Sequence, residues 1–344
     1  MAQGFAFDGQ SLITPGQIIR PNDHQNLPSS DQLILAKAEL AIALDLCLQQ
    51  FQSGVDPHAI IRRVTETLHQ LRRRFHARIW DEIVPLVQAH PVTDFVFQDP
   101  FTKWSFDKPR GYSGDAHLLD FIYGHSEVEG EIAAATELGR KIYDYTKDAS
   151  SSVAVRERRD LLARRVDDIA SKHDDQIEVL AVASGHLREA SLSIALREGR
   201  IKRWVALDQD PLSVGTVTRD FAGTPVEAIN GSVKTLISGR HKLGTLDFVY
   251  AAGLYDYLAD GVAVKLTKRC LQMVKPGGSF LFANFSQATR VDGYMETFMN
   301  WPLLLRTEDD MQSIAENATG TDDVSISVWS GENLDVIYCE IKKL

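Results

Sequence analysis

The sequence predicts an α/β protein: a parallel sheet covered by helices on both faces, preceded by an all-helical N-terminal half. Three observations carry this. Before residue 172 apolar side chains recur at steps of three and four, the period of amphipathic helices. After it, short apolar runs alternate with helical stretches, as in a sheet buried on both sides. The chain then closes on two runs joined by Ser330-Gly331-Glu332-Asn333, long enough for a hairpin and too short for a helical crossover.

Taken in order, Ser30 or Asp31 is placed to cap a helix running to about Phe51, which Gly54 ends. Asp56-Pro57 then supplies an N-cap and a first-turn proline, and Ile60, Val64, Leu68, Leu71 and Phe75 form one stripe. Helices are expected to about residue 90, and again over 127–145 and 155–172, the latter carrying Leu161, Leu162, Val166 and Ile169. Strands are expected at 177–183, 203–208, 225–230, 246–251 and 279–285, with helices such as 187–198 and 262–273 between them. The terminal hairpin takes 324–329 and 334–341. Lys275-Pro276-Gly277-Gly278 reads as a tight turn that stops a helix ahead of the fifth strand. The expected organisation is a tail (1–30), a helical lid and substrate domain (31–150) and a sheet domain (151–344).

The 344 residues are 44% hydrophobic and 24% charged, a globular balance that excludes disorder of the whole chain. With 37 basic against 47 acidic residues the net charge is -10, which repels a phosphate backbone and favours a small-molecule or protein partner over nucleic acid. Arg72-Arg73-Arg74, with Arg62 and Arg63, reads as the solvated face of an amphipathic helix. Cys47, Cys270 and Cys339 are too scattered for a disulfide framework or a zinc site, and no histidine shows metal-ligand spacing. With no signal-like N-terminus and no apolar run of membrane-spanning length, a cytoplasmic location is expected. The oligomeric state is left open, a homodimer included.

In an open doubly wound sheet ligands bind beyond the carboxyl ends of the strands, so the residues after each run are the candidates. The first run ends Ala183-Ser184-Gly185-His186, a strand-to-helix turn in which Gly185 lets the backbone approach a ligand. The second ends Asp208-Gln209-Asp210, where Asp208 is placed to accept hydrogen bonds from the ribose hydroxyls of an adenosyl cofactor, while Asp210 suits an N-cap. Asn230, Gly231 and Ser232 follow the third run and either meet an adenine or cap the next helix. Gly253-Leu-Tyr-Asp-Tyr257 follows the fourth; Tyr255 and Tyr257 either offer aromatic faces to a cation or pack beneath the next helix.

Helix, Lys-Pro-Gly-Gly turn, strand and terminal hairpin together resemble class I S-adenosylmethionine-dependent methyltransferases over about residues 155–344. Four segments resemble, more narrowly, the bacterial family of extracellular-factor or 3-hydroxypalmitic acid methyl ester biosynthesis methyltransferases. They are Lys108-Pro-Arg-Gly-Tyr-Ser-Gly-Asp-Ala116, Gly253-Leu-Tyr-Asp-Tyr257, Asn284-Phe285 and Trp301-Pro-Leu-Leu-Leu-Arg-Thr307. The resemblance implies a Rossmann-like seven-stranded sheet with its last strand antiparallel, an N-terminal all-helical lid, and S-adenosylmethionine as cofactor. The first loop departs from the general pattern: Ala181, Ala183, Gly185 and Leu187 stand where an acid and three glycines are usual. The group holding the cofactor's amino-acid end is therefore sought elsewhere, in Arg110 and Tyr112 of the 109–115 loop or in Arg156 or Arg158.

Methyl transfer from a sulfonium is an in-line displacement that chiefly needs positioning and exclusion of water. No strong general base stands out, which favours an acceptor already nucleophilic, such as a carboxylate of a fatty-acid-like molecule, with Arg290 or Arg306 to pair with it and Tyr255 beside the reacting centre. Two other functions stay open: an NAD-dependent oxidoreductase, and a non-catalytic module that binds an adenosyl ligand.

Overall fold

A computed structural model describes residues 29–344, so most of the expected tail lies outside the described residues. The chain divides into two compact units. Among the described residues one comprises the chain up to Val153 together with Thr289–Leu303, the other Ala154–Ala288 and Leu304–Leu344.

In the helical unit the first helix, Ser30–Gln52, is capped by Ser29, one residue ahead of the expected cap, because Gln32 completes a reciprocal capping box with it. Asp56 and Pro57 open the helix Pro57–Arg74, and the stripe Ile60, Val64, Leu68, Leu71 and Phe75 is buried throughout. The basic run at its end is not wholly solvated. Arg72 turns inward, with Nη1 2.8 Å from Asp292 and Nη2 2.7 Å from Glu296, whose Oε2 also accepts the Trp80 indole N–H at 2.6 Å. Both acids come from the helix Asp292–Thr297, distant in sequence, which lies so close that a Cβ on Gly293 would sit 2.5 Å from the Leu68 carbonyl carbon. The helix expected over 127–145 is broken: Glu129–Ala134 stops at extended Ala135, and Thr136 caps Glu137–Thr146.

The sheet unit contains β1 (Ile177–Val182), β2 (Ile201–Asp208), β3 (Val226–Asn230), β4 (Leu246–Ala251), β5 (Val274–Phe285), β6 (Val324–Ser330) and β7 (Val336–Lys343). Their order is β3-β2-β1-β4-β5-β7-β6, and β7 runs antiparallel to both of its neighbours, while β1 to β5 are parallel. This is the Rossmann-like seven-stranded sheet with an antiparallel last strand, and a helical region precedes it in the chain. Its strands pack alternate apolar side chains, among them Leu180, Val182, Val205, Leu207, Phe280 and Phe282, into one buried cluster.

Two local expectations are corrected. Lys275–Gly278 lies inside β5 as a bulge, the register jumping from Leu246 opposite Val274 to Phe248 opposite Ser279. The helix expected over 187–198 shrinks to a short 3₁₀ turn, Ala190–Leu192, and one α-turn, Ile194–Arg197. Positive φ angles at Ala183, Gly185 and Leu187 redirect the chain first, and the Asp167 carboxylate then captures the N–H groups of Ile194 and Ala195.

Candidate active site

Because β1 to β5 are parallel, their carboxyl ends share one rim of the sheet, and the strand order reverses there between β1 and β4. Asp208 ends β2 at this rim. Its Oδ2 accepts the Gly185 N–H and its Oδ1 the Asp210 N–H, both at 2.8 Å. Burial raises its pKa, and the two backbone donors and nearby His186 oppose the rise. Each oxygen accepting one N–H keeps capacity for a further donor. Asp210 caps the following helix, Pro211–Asp220.

The loop facing Asp208 is strained. Ala183 and Leu187 hold φ near +54° and +53°, a region that costs a residue with a Cβ on the order of 1 kcal/mol. Ser184 donates its N–H to the Leu207 carbonyl, yet its buried Oγ has no partner among the described residues.

After β3, Asn230 donates its side-chain N–H to the Gln209 carbonyl at 3.2 Å, tying two strand ends together. Gly231 makes room for the His241 ring, and Ser232 spends its hydroxyl oxygen capping the helix Val233–Ile237.

The switch point is occupied by Arg158, which projects from the helix Ser150–Ser171 and is buried. Its Nη2 lies 3.3 Å from where a Cβ on Gly253 would be, so the missing side chain lets the guanidinium approach this closely without displacement. Its buried Nη1 has no hydrogen-bond partner among the described residues. Two acids that sequence reasoning did not single out share this region. Burial pushes the Asp256 carboxyl up to about 6, Arg158 counteracting, and Asp256 accepts the Phe285 N–H at 2.6 Å. Glu189 is also raised by burial and accepts the Tyr250 hydroxyl at 2.6 Å. The signal for Asp256 was its place just after an apolar run; nothing in the sequence showed its depth.

Tyr255 and Arg306 are committed to internal contacts. Tyr255 is fully buried, its hydroxyl 2.7 Å from Thr267 Oγ1 and its ring stacked 4.3 Å from Phe282. Arg306 donates from Nη1 to the Tyr255 carbonyl and Asn284 Oδ1, and from Nη2 to the Leu258 carbonyl and Asp260. Its four terminal N–H bonds thus brace the segment after β4. Tyr257 is half-buried.

Arg158, Ala183, Ser184, Gly185, Asp208, Gln209, Asn230, Gly231, Ser232, Gly253 and Tyr257 all belong to the sheet unit, whereas Arg110, Tyr112 and Arg290 belong to the helical unit. There Arg110 lies 3.8 Å from Asp115, which caps the helix Ala116–Tyr123 and accepts the Trp104 indole N–H.

No family model and no curated protein matches the chain. Among solved structures it is similar to a possible exported protein of Bordetella parapertussis, with a TM-score of 0.52 and 16% identity over 94% of this chain and 99% of that one. It is also similar to the S-adenosylmethionine-dependent methyltransferase SibL in its apo form (TM-score 0.46, 16% identity, 86% and 76% covered). A third, an S-adenosylmethionine-dependent methyltransferase of Clostridium acetobutylicum, aligns with a TM-score of 0.40 and 11% identity over 55% of this chain and 92% of that one. At these identities the likeness to the Bordetella protein is one of fold, and it extends over nearly the whole of both chains.

Proposed function

We propose that the chain is an S-adenosylmethionine-dependent methyltransferase acting on a small molecule. The observation that carries this reading is Arg158: a buried cation with an unsatisfied N–H, beside a residue without a side chain, at the switch point of the sheet. A buried guanidinium with an N–H left unsatisfied is costly, and a carboxylate ligand relieves that cost with a charge-assisted bond. The cofactor carries such a carboxylate on its amino-acid end, and Asp208 at the end of β2 is placed for its ribose. When bound, it supplies an electrophilic methyl carbon on a sulfonium. The protein's share is to hold both ends of the ligand on a rigid rim and exclude water. A carboxylate acceptor, as in a fatty-acid-like molecule, needs no proton removed, in keeping with Tyr255 and Arg306 being spent on structure. Three buried free thiols support a cytoplasmic enzyme.

The first loop speaks against a nicotinamide cofactor. A dinucleotide rests its pyrophosphate on the N-terminus of the helix after β1. Here that segment is a 3₁₀ turn and a four-residue helix, too short to offer an aligned set of N–H groups. Thermal unfolding with S-adenosylhomocysteine and with NAD separates the readings: the homocysteine ligand is expected to raise Tm by several degrees and NAD to leave it unchanged. A shift with NAD alone overturns the proposal.

A further inference from the structure

The helical unit has a cavity of its own, about 650 Å³, a size that suits a small metabolite. Its walls come from the helix Pro57–Arg74, from the end of the helix Glu137–Thr146 with the residues after it, and from Arg290 and Val291. Arg62 and Arg290 both line it, from segments far apart in sequence, and among the described residues neither guanidinium is held by a carboxylate. Glu66 stands four residues beyond Arg62 on the same helix without pairing to it, consistent with how little such surface pairs contribute.

The other polar groups narrow the ligand. The Tyr145 hydroxyl, protonated at neutral pH, is a donor near Arg62. His58 uses Nε2 on the Lys141 carbonyl at 2.9 Å, which makes Nδ1 the acceptor in the neutral ring. Glu66, Asp144 and Asp148 also line the cavity, and Asp144 is balanced by Lys147 at 3.8 Å, so the lining is mixed in charge and a polyanion is repelled. Two arginines for one anionic head, with several acceptors around them, describe a ligand that bears one acid group and several hydroxyls.

We infer that this cavity binds a small polyhydroxylated monocarboxylate, its carboxylate held by Arg62 and Arg290 and its hydroxyls donating to Glu66, Asp144 and His58. This rests on the helical unit alone and stands or falls apart from the methyl-transfer reading. Three six-carbon probes test it by calorimetry on the full chain: gluconate, its uncharged counterpart glucitol, and hexanoate, which lacks the hydroxyls. Gluconate is expected to bind, hexanoate more weakly and glucitol not at all. Arg62→Gln and Arg290→Gln are each expected to weaken gluconate by about tenfold or more. Circular dichroism and Tm of both exposed-residue variants should match the parent. No gluconate binding at millimolar concentration, binding of glucitol equal to gluconate, or full affinity in both variants overturns the inference.

Discussion

Arg158 is tolerated in its buried place because Asp256 and Glu189 stand nearby, while those carboxylates accept the Phe285 N–H and the Tyr250 hydroxyl. Neither satisfies Nη1. Arg158→Gln keeps much of the side chain's volume and removes the charge, so it should separate binding from folding. S-adenosylhomocysteine affinity is expected to fall by about 10- to 100-fold, with only a modest change in Tm, because Asp256 and Glu189 lose a neighbouring cation but can hold their protons without it. Parent-like affinity in calorimetry would falsify the carboxylate role. Asp208→Asn is expected to behave differently. Both Asp208 oxygens accept backbone N–H bonds, so an amide nitrogen must face one of those donors whichever way it is flipped. That leaves Gly185 or Asp210 unsatisfied, at about 1–3 kcal/mol. Asp208→Asn should therefore lose stability in denaturant titration as well as affinity, and a loss of affinity alone would show that the carboxylate does not brace the loop.

At the scale of elements, the helix Asp292–Thr297 shows how a distant segment completes the helical unit. Gly293 has no room for a Cβ against the backbone of Leu68 and His69, at 2.5 and 2.7 Å. Gly293→Ala must push the two helices apart and loosen the Arg72 pairs with Asp292 and Glu296, and a loss of about 3 kcal/mol or more is expected. A Tm within a degree of the parent would show that the helices slide freely past each other. Sequence periodicity made the stripe from Ile60 to Phe75 legible because a helix repeats its buried face, and strand ends were legible because apolar runs stop where chains leave a sheet. Arg72 was not, since its partners lie more than two hundred residues away and nothing local marks an arginine as inward-facing. For the same reason Arg158 could be proposed only alongside Arg156, and Tyr255 could not be told from a ligand-facing tyrosine: both readings give the same letters after a strand. The first-loop helix was overestimated because its apolar spacing says nothing of Asp167 capturing the N–H groups of Ile194 and Ala195.

For the whole molecule, the buried acids set how stability responds to pH. Asp99 in the helical unit and Asp256 in the sheet unit are each pushed by burial from 3.8 up to about 6. An acid whose folded pKa is raised holds its proton in the native state while the unfolded chain has already lost it. Between the ordinary carboxylate value and about 6, folding therefore binds protons, and stability falls as pH rises through that window. Above it both groups ionise in place, at a cost on the order of 3 kcal/mol each. The net charge of -10 pushes the same way, because neutralising acids relieves repulsion across the chain. A single pH profile of the parent cannot apportion the two effects, but Asp256→Asn can. The amide oxygen keeps the Phe285 N–H bond, the group no longer titrates, and net charge changes by one. Asp99→Asn lacks this advantage, since Asp99 accepts four hydrogen bonds, from the N–H groups of Phe101 and Thr102 and the hydroxyls of Thr102 and Thr146. Chemical denaturation of parent and Asp256→Asn between pH 4 and 7 should give converging stabilities at the acid end and a widening advantage for the variant toward neutral pH. Parallel profiles would mean that Asp256 ionises as an exposed acid does, and that Arg158 offsets its burial in full.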